Sequence, residues 1–220
     1  MRCNMKKLVI FDLDGTLLNT IDDLGLSTNY ALQALGYPTH DLSAYPQMVG
    51  NGINKLIERA LPEGEKTEEN VRRMRSEFIP YYNLHNADRT LPYPGIPELL
   101  QNLNGRGVLM AVASNKYQQA TEKLIAHYFP SIPFAAVLGQ RDGVAVKPDP
   151  AIVEDILQMT RLEHTDALYV GDSGVDMQTA ANANVEACGV TWGFRPRTEL
   201  ESFSPAHIVS SPKEISVLVC

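Results

Sequence analysis

Five short apolar runs constrain this chain more than any other feature of its sequence. They occupy residues 6–11, 108–113, 135–138, 167–170 and 188–191. Each is continuous rather than alternating, the pattern of a strand buried on both faces of a parallel sheet. Helical stretches lie between them. Pro97 opens one, with Leu99, Leu100 and Leu103 on a face and Gly105 past its end. A second follows Asn115, with Ala120, Leu124 and Tyr128 at helical spacing. A third takes Asp149 as N-cap and Pro150 as first helical residue, then Ile152, Ile156 and Met159. Strands alternating with helices predict a doubly wound parallel α/β sheet.

Residues 16–87 break the alternation and read as entirely helical. Leu24, Thr28, Ala31 and Leu35 form one apolar face, ended by Gly36 and Pro38. Ile53, Leu56, Ile57 and Ala60 form a second, and Val71, Met74 and Phe78 a third, with Thr67 as N-cap. About seventy residues is too long for one crossover helix. The expectation is a helical subdomain over 16–87, inserted after the first strand of a core made of 5–15 and 88–220. Residues 89–95 read as the return linker.

Composition narrows the function. Nineteen Lys and Arg against 26 Asp and Glu give 19 − 26 = −7, and no basic run occurs, which disfavours nucleic acid and anionic membranes as partners. The longest apolar runs fall far short of the ~20 residues that span a bilayer. Cys3, Cys188 and Cys220 match no metal motif, and two lie at the termini, which fits a reducing cytoplasm. The five histidines are scattered singly. The first strand starts more tightly from Met5 than from Met1, so 1–4 read as an upstream extension or a misassigned start. Oligomeric state is not readable.

Four of the runs end in polar clusters: Asp12-Leu13-Asp14-Gly15-Thr16, Ser114-Asn115, Lys147 by way of 139–146, and Gly171-Asp172-Ser173 with Asp176 following. Ligands of open parallel sheets bind outside the carboxyl ends of the strands. Neighbouring strands would therefore bring Asp12, Asp14, Asp172 and Asp176 together with Ser114 and Lys147. Carboxylates ~4 Å apart repel by about 4 kcal/mol per pair at an effective dielectric of 20. A hard divalent cation relieves that, and oxygen-only ligands point to Mg²⁺. Mg²⁺, a lysine, a hydroxyl and helix N-terminal amides suit a phosphate group. One carboxylate can attack phosphorus; a second, two residues on, can protonate the leaving oxygen and then activate water.

Taken in order, Asp12-Leu13-Asp14-Gly15-Thr16-Leu17, Ser114-Asn115-Lys116, Lys147-Pro148 and Gly171-Asp172-Ser173-Gly174-Val175-Asp176 resemble the four motifs of the haloacid dehalogenase superfamily over essentially the whole chain. The insertion between the first two motifs resembles subfamily I, with a helical cap on a Rossmann-like core. Met48-Val49-Gly50-Asn51-Gly52-Ile53 resembles the cap segment of phosphoglycolate phosphatases. The resemblance implies roles. Asp12 is the nucleophile. Asp14 is the general acid/base and lends its backbone carbonyl to Mg²⁺. Ser114 and the Asn115 amide hold the phosphoryl group, and Lys147 neutralises it and Asp12. Asp172 ligates Mg²⁺, and Asp176 assists directly or through water.

The implied activity is cytoplasmic, Mg²⁺-dependent hydrolysis of a small phosphorylated metabolite, phosphoglycolate first, through an aspartyl-phosphate. Dehalogenation needs no acid at the Asp14 position. Phosphomutases resembling β-phosphoglucomutase carry a cap histidine that residues 19–33 lack. A sugar-phosphate phosphatase, a pyrophosphatase and a non-catalytic phospholigand-binding module remain as alternatives. Gly50, Asn51 and Gly52 read either as a substrate-selecting loop offering amides to a carboxylate or as a plain helix–helix turn. Arg195 reads as a loop arginine, with reach to an anionic substrate as the alternative.

Overall fold

The computed structural model describes residues 6–219. The Met1-or-Met5 question, Cys3, Cys220 and the first residue of the expected core lie outside the described residues. In chain order the elements are β1 (Leu8–Phe11), β2 (Leu18–Asn19), α1 (Ile21–Ala34), a 3-10 turn at Leu42–Gln47, α2 (Ile53–Ala60), α3 (Glu68–His85) and β3 (Leu91–Pro92). There follow α4 (Ile96–Gly105), β4 (Leu109–Tyr117), α5 (Gln118–Tyr128), β5 (Ala136–Gln140) and α6 (Ala151–Thr160). The chain closes with β6 (Ala167–Gly171), α7 (Gly174–Asn182), β7 (Glu186–Val190), α8 (Arg197–Ser202), β8 (His207–Val209) and α9 (Pro212–Leu218).

Six strands form one parallel sheet in the order β5-β4-β1-β6-β7-β8. The doubly wound α/β expectation holds. β1 lies at its centre, with Phe11 in register with Val112 on one side and Val170 on the other. Its four residues alternate between two cores. Val9 and Phe11 pack with Leu99, Leu103 and Leu124 on one layer, while Leu8 and Ile10 pack with Ile152, Ile156 and Met177 on the other. Burying each such side chain contributes about 1.5–3 kcal/mol, so every residue of β1 is held from one face or the other. Chain order reverses across β1, and its carboxyl end opens into the crevice that such a reversal creates.

Residues 21–85 hold α1, α2 and α3 around a third apolar cluster built on Leu24, Leu32, Tyr45, Ile57, Met74, Phe78 and Tyr82. This group, the cap, also takes in Ala120 of α5. Thr67 caps α3 as expected, its Oγ1 accepting from the Asn70 amide.

Several local expectations are corrected. Residues 16–87 are not wholly helical: Leu18 and Asn19 pair antiparallel with Pro92 and Leu91, so the outgoing and returning connectors form a two-stranded ribbon. The tight turn at Gly15, with φ +91°, turns the chain back so that the Gly15 amide meets the Leu18 carbonyl. β4 runs on through Tyr117, so Ser114 and Asn115 lie in the strand and cap no helix. The third core helix starts one residue late: Pro150 is its N-cap, and Asp149 Oδ1 accepts from the Ala151 amide. Gly105 sits inside the last turn of α4, and Met159 faces solvent. β8, α8 and α9 had no counterpart in the sequence reading.

Candidate active site

The strand ends deliver the side chains. Asp12 follows β1 directly, and its amide donates to the Val170 carbonyl (2.9 Å), which fixes it beside β6. Asp172 follows β6. Asp176 is the third residue of α7, where its Oδ2 accepts from the amide (3.1 Å) and hydroxyl (2.6 Å) of Ser173 in a capping box. Oxygen atoms of Asp12, Asp172 and Asp176 lie within 4.8 Å of one another, and all three residues are buried.

Lys147 answers this charge. Its Nζ donates to Asp12 Oδ1 (2.7 Å), Asp176 Oδ1 (2.7 Å), the Ala113 carbonyl (3.0 Å) and the Tyr169 hydroxyl (3.2 Å). Burial alone would lower the Lys147 ammonium's pKa, but Asp12 and Asp176 outweigh it and hold the group charged. Burial pushes the Asp12 carboxyl up to about 7, with Lys147 opposing and Asp176 reinforcing. Burial, then Asp176 and Asp12, likewise raise Asp172 well above the usual carboxylate range. One ammonium therefore faces three crowded carboxylates.

That imbalance tests the fit of a metal. Two oxygens on opposite sides of Mg²⁺ stand about 4.2 Å apart, twice a ~2.1 Å bond, so a 4.8 Å oxygen cluster matches one small coordination sphere after slight adjustment. The donor set is all oxygen and acidic, which selects a hard divalent ion. Asp172 is tightly cradled for this position: a Cβ on Gly15 would stand 2.3 Å from its Oδ2, and one on Gly193 2.3 Å from its own Cβ. The Phe194 amide donates to Asp172 Oδ2 (2.6 Å).

Asp14 stands apart from that cluster. Its Oδ1 accepts from the Thr20 hydroxyl (2.7 Å), and its Oδ2 lies 3.1 Å from Lys116 Nζ. Lys116 in turn donates to the hydroxyl of Tyr82 on α3 (2.8 Å), over whose ring it sits. The two carboxylates Asp12 and Asp14 are thus held by different cations, which lets them differ in role.

Ser114 is buried at the site and accepts from the Lys116 amide (3.2 Å). Asn115 acts as a clamp: its Nδ2 donates to the carbonyls of Lys147 and Gly50 (both 3.1 Å), and its Oδ1 accepts from the Lys147 amide (2.9 Å). A cavity with about 660 Å³ of empty space, its open mouth included, joins all of these to the cap. Gly50 and Gly52 form part of its wall, but Asn51 does not line it; Asn51 Oδ1 accepts from Arg59 (2.7 Å). Apolar Leu24, Ile53, Leu56 and Phe78 of the cap also line the cavity.

Sequence reasoning gave no role to Lys116, although it stood in a quoted motif, and missed Thr20, Tyr82 and Tyr169. The signal for Tyr169 was a hydroxyl-bearing ring in an otherwise apolar strand. Tyr82 carried none, because helical spacing made it part of a core face.

The haloacid dehalogenase-like hydrolase family profile matches residues 9–190. A phosphoglycolate phosphatase from Mannheimia succiniciproducens is 34% identical over 210 residues, covering 92% of this chain and 93% of its own. One from Vibrio parahaemolyticus is 30% identical over 218 residues, covering 97% and 96%. The crystal structure of a Lactobacillus delbrueckii subsp. bulgaricus protein, provisionally assigned as a phosphoglycolate phosphatase, superposes with a TM-score of 0.91 at 30% identity and covers 98% of each chain.

Proposed function

The chain belongs to the haloacid dehalogenase-like hydrolase family, and from that premise we propose that it is a Mg²⁺-dependent phosphatase of small phosphomonoesters, phosphoglycolate first among them. The observation that carries the reading is the pair of carboxylates two residues apart, each with its own lysine: Asp12 on Lys147 and Asp14 on Lys116. The names of the relatives support the substrate.

Asp12 Oδ attacks phosphorus, and the bond to the leaving oxygen breaks as the aspartyl-phosphate forms. Asp14 gives its proton to that oxygen, then takes one from the water that hydrolyses the acyl phosphate. Lys147 and Ser114 hold the phosphoryl oxygens, with the Asn115 clamp fixing Lys147. Asp12, Asp172 and Asp176, with the Asp14 carbonyl, would hold Mg²⁺, which when bound neutralises charge on the phosphoryl group. The cap walls off solvent, and Gly50 and Gly52 present backbone rather than side chains to the leaving group. The substrate is a small metabolite of the cytoplasm. Among the described residues no helix is long and apolar enough to cross a membrane. Among the described residues no histidine lines the cavity, which disfavours a mutase that relies on a cap histidine.

The test is hydrolysis of a phosphomonoester panel with Mg²⁺ or with chelator, by wild type and Asp12→Asn. Phosphoglycolate should have the highest kcat/KM, and Asp12→Asn should lose at least ~10³-fold while remaining folded. A best substrate that is a nucleotide or pyrophosphate refutes the substrate, and near-normal turnover by Asp12→Asn refutes the nucleophile.

A further inference from the structure

Arg195 belongs to the core, in the loop between β7 and α8, yet its guanidinium grips the cap. One terminal nitrogen donates to the carbonyl of Pro46 and the other to that of Val49 (2.8 Å). Its Nε lies 3.5 Å from Glu199 Oε2 on α8, and Glu199 Oε1 accepts from the amide of Gly174, the first residue of α7 (2.9 Å). The side chain is only 11% exposed, so it is not a solvated loop arginine. Both cap acceptors are main-chain carbonyls just ahead of the Gly50–Gly52 cavity wall. A planar fork can bridge two such carbonyls, which a lysine's single nitrogen cannot do as well.

The residues before Arg195 make equally specific contacts. Trp192 Nε1 donates to the Thr16 carbonyl on the outgoing connector (3.0 Å). Gly193 passes so close to Asp172 that a Cβ there would also stand 2.4 Å from the Gly15 carbonyl oxygen. The Phe194 amide holds Asp172 Oδ2. Four consecutive residues therefore touch the connector, an acidic metal-site residue and the cap.

We propose that Arg195 is a positioning residue that latches cap segment 46–49 over the cavity, so that the loop 192–195 makes cap closure and the seating of Asp172 a single event. A cap that swings away must break both guanidinium–carbonyl bonds. The loop that loses them is the one that orients Asp172, so an open cap loosens the metal site and a filled metal site favours a closed cap. The inference rests on the phosphatase reading for its turnover readout and on the proposed Mg²⁺ site for its metal readouts, while the amide-exchange readout stands apart from both.

The test compares wild type with Arg195→Ala and Arg195→Lys in three measurements. Amide exchange should quicken in the 46–53 segment of Arg195→Ala while β1, β4 and β6 exchange as in wild type. Mg²⁺ affinity by calorimetry should fall about threefold or more, and the fluorescence change of Trp192, the chain's one tryptophan, on Mg²⁺ addition should shrink. Turnover (kcat/KM) should fall about 10- to 100-fold, alike for phosphoglycolate and for 2-hydroxyethyl phosphate, which is similar in size but lacks the carboxylate. Arg195→Lys should fall between. Faster exchange throughout the sheet makes the role merely structural and overturns the latch. A loss confined to phosphoglycolate makes Arg195 a substrate ligand and overturns it too. Unchanged Mg²⁺ affinity overturns the link to Asp172. Failure of wild type on phosphoglycolate overturns the proposed substrate instead, and the exchange and Mg²⁺ measurements still judge the latch.

Discussion

Replacing Lys147 with methionine keeps most of the side chain's volume and removes the ammonium that Asp12 and Asp176 share. At a dielectric of 20, each 2.7 Å contact is worth about 6 kcal/mol before desolvation is subtracted. Desolvation of a fully buried lysine offsets much of this. Removing one partner of such a buried group typically costs about 3–5 kcal/mol, because the remaining charges are stranded. For a chain of 220 residues that is a fall in Tm of about 6–20 °C at 2–4 °C per kcal/mol.

The carboxylates have an escape, which makes the prediction pH-dependent. Asp12 already sits near 7 with Lys147 present, and it rises further without it. A carboxyl whose folded pKa is raised takes up a proton on folding, so the variant recovers stability as pH falls through that raised value. Thermal denaturation in chelator from pH 8.5 to 5.5 should therefore show a large gap between wild type and Lys147→Met at the alkaline end, narrowing toward the acid end. Saturating Mg²⁺ should also narrow it, since a cation at the same carboxylates replaces the lost charge. A gap that stays constant across this range, or that is absent at pH 8.5, refutes the account of crowded buried carboxylates.

Three further outcomes are expected. Mg²⁺ affinity should weaken as pH falls below about 7, by up to about tenfold per unit, because protons then compete at Asp12; calorimetry at pH 8 and 6 checks it, and equal affinities contradict it. Gly193→Ala should raise the Mg²⁺ dissociation constant by about tenfold or more and lower stability by about 1–3 kcal/mol, since the added methyl overlaps the Asp172 Cβ and the Gly15 carbonyl and must displace the loop or Asp172; titration calorimetry beside a melting curve reads both. Asp23→Ala should lower stability by about 2–5 kcal/mol, because the buried Asp23 carboxylate accepts from the amides of Arg89 and Thr90 and from the Thr90 hydroxyl, pinning the return connector to α1; urea denaturation measures it.

The sheet was legible because its strands are buried on both faces, and that burial leaves a mark on every residue. Leu8 to Phe11 all had to be apolar, whichever layer each one met. β8 was not legible, since it is a three-residue edge strand whose His207 and Ile208 are only half-buried. The connector ribbon was invisible for a related reason. Two pairs of residues cannot show a period, and the pairing is set by where Gly15 and the return linker place the chain rather than by strand propensity. The start of α5 was read too early because Ser114 and Asn115 are good capping types; here the Asn115 side chain is spent on Lys147 and Gly50 instead.

The site followed the same division. Asp12, Asp14 and Asp172 sit just beyond strand ends, Ser114 lies toward the carboxyl end of β4, Asp176 in the first turn of α7 and Lys147 in the loop after β5. All are at the carboxyl side of the sheet, so its topology brings them near one another. The partners that distinguish them come from elsewhere in the fold. Tyr82 reaches Lys116 from α3, and Phe194 and Gly193 reach Asp172 from the loop after β7. Such contacts join residues far apart in sequence and need only a backbone amide, an absent Cβ or one hydroxyl, none of which a local pattern reveals. Three acidic residues are packed at the centre of the molecule against one shared lysine, at a cost to the metal-free fold that burial makes visible in the raised Asp12 and Asp172. A core chosen for stability alone would not keep that arrangement. Its persistence at the carboxyl end of β1, where the cap and the 192–195 loop also converge, is the physical reason to place the chemistry there.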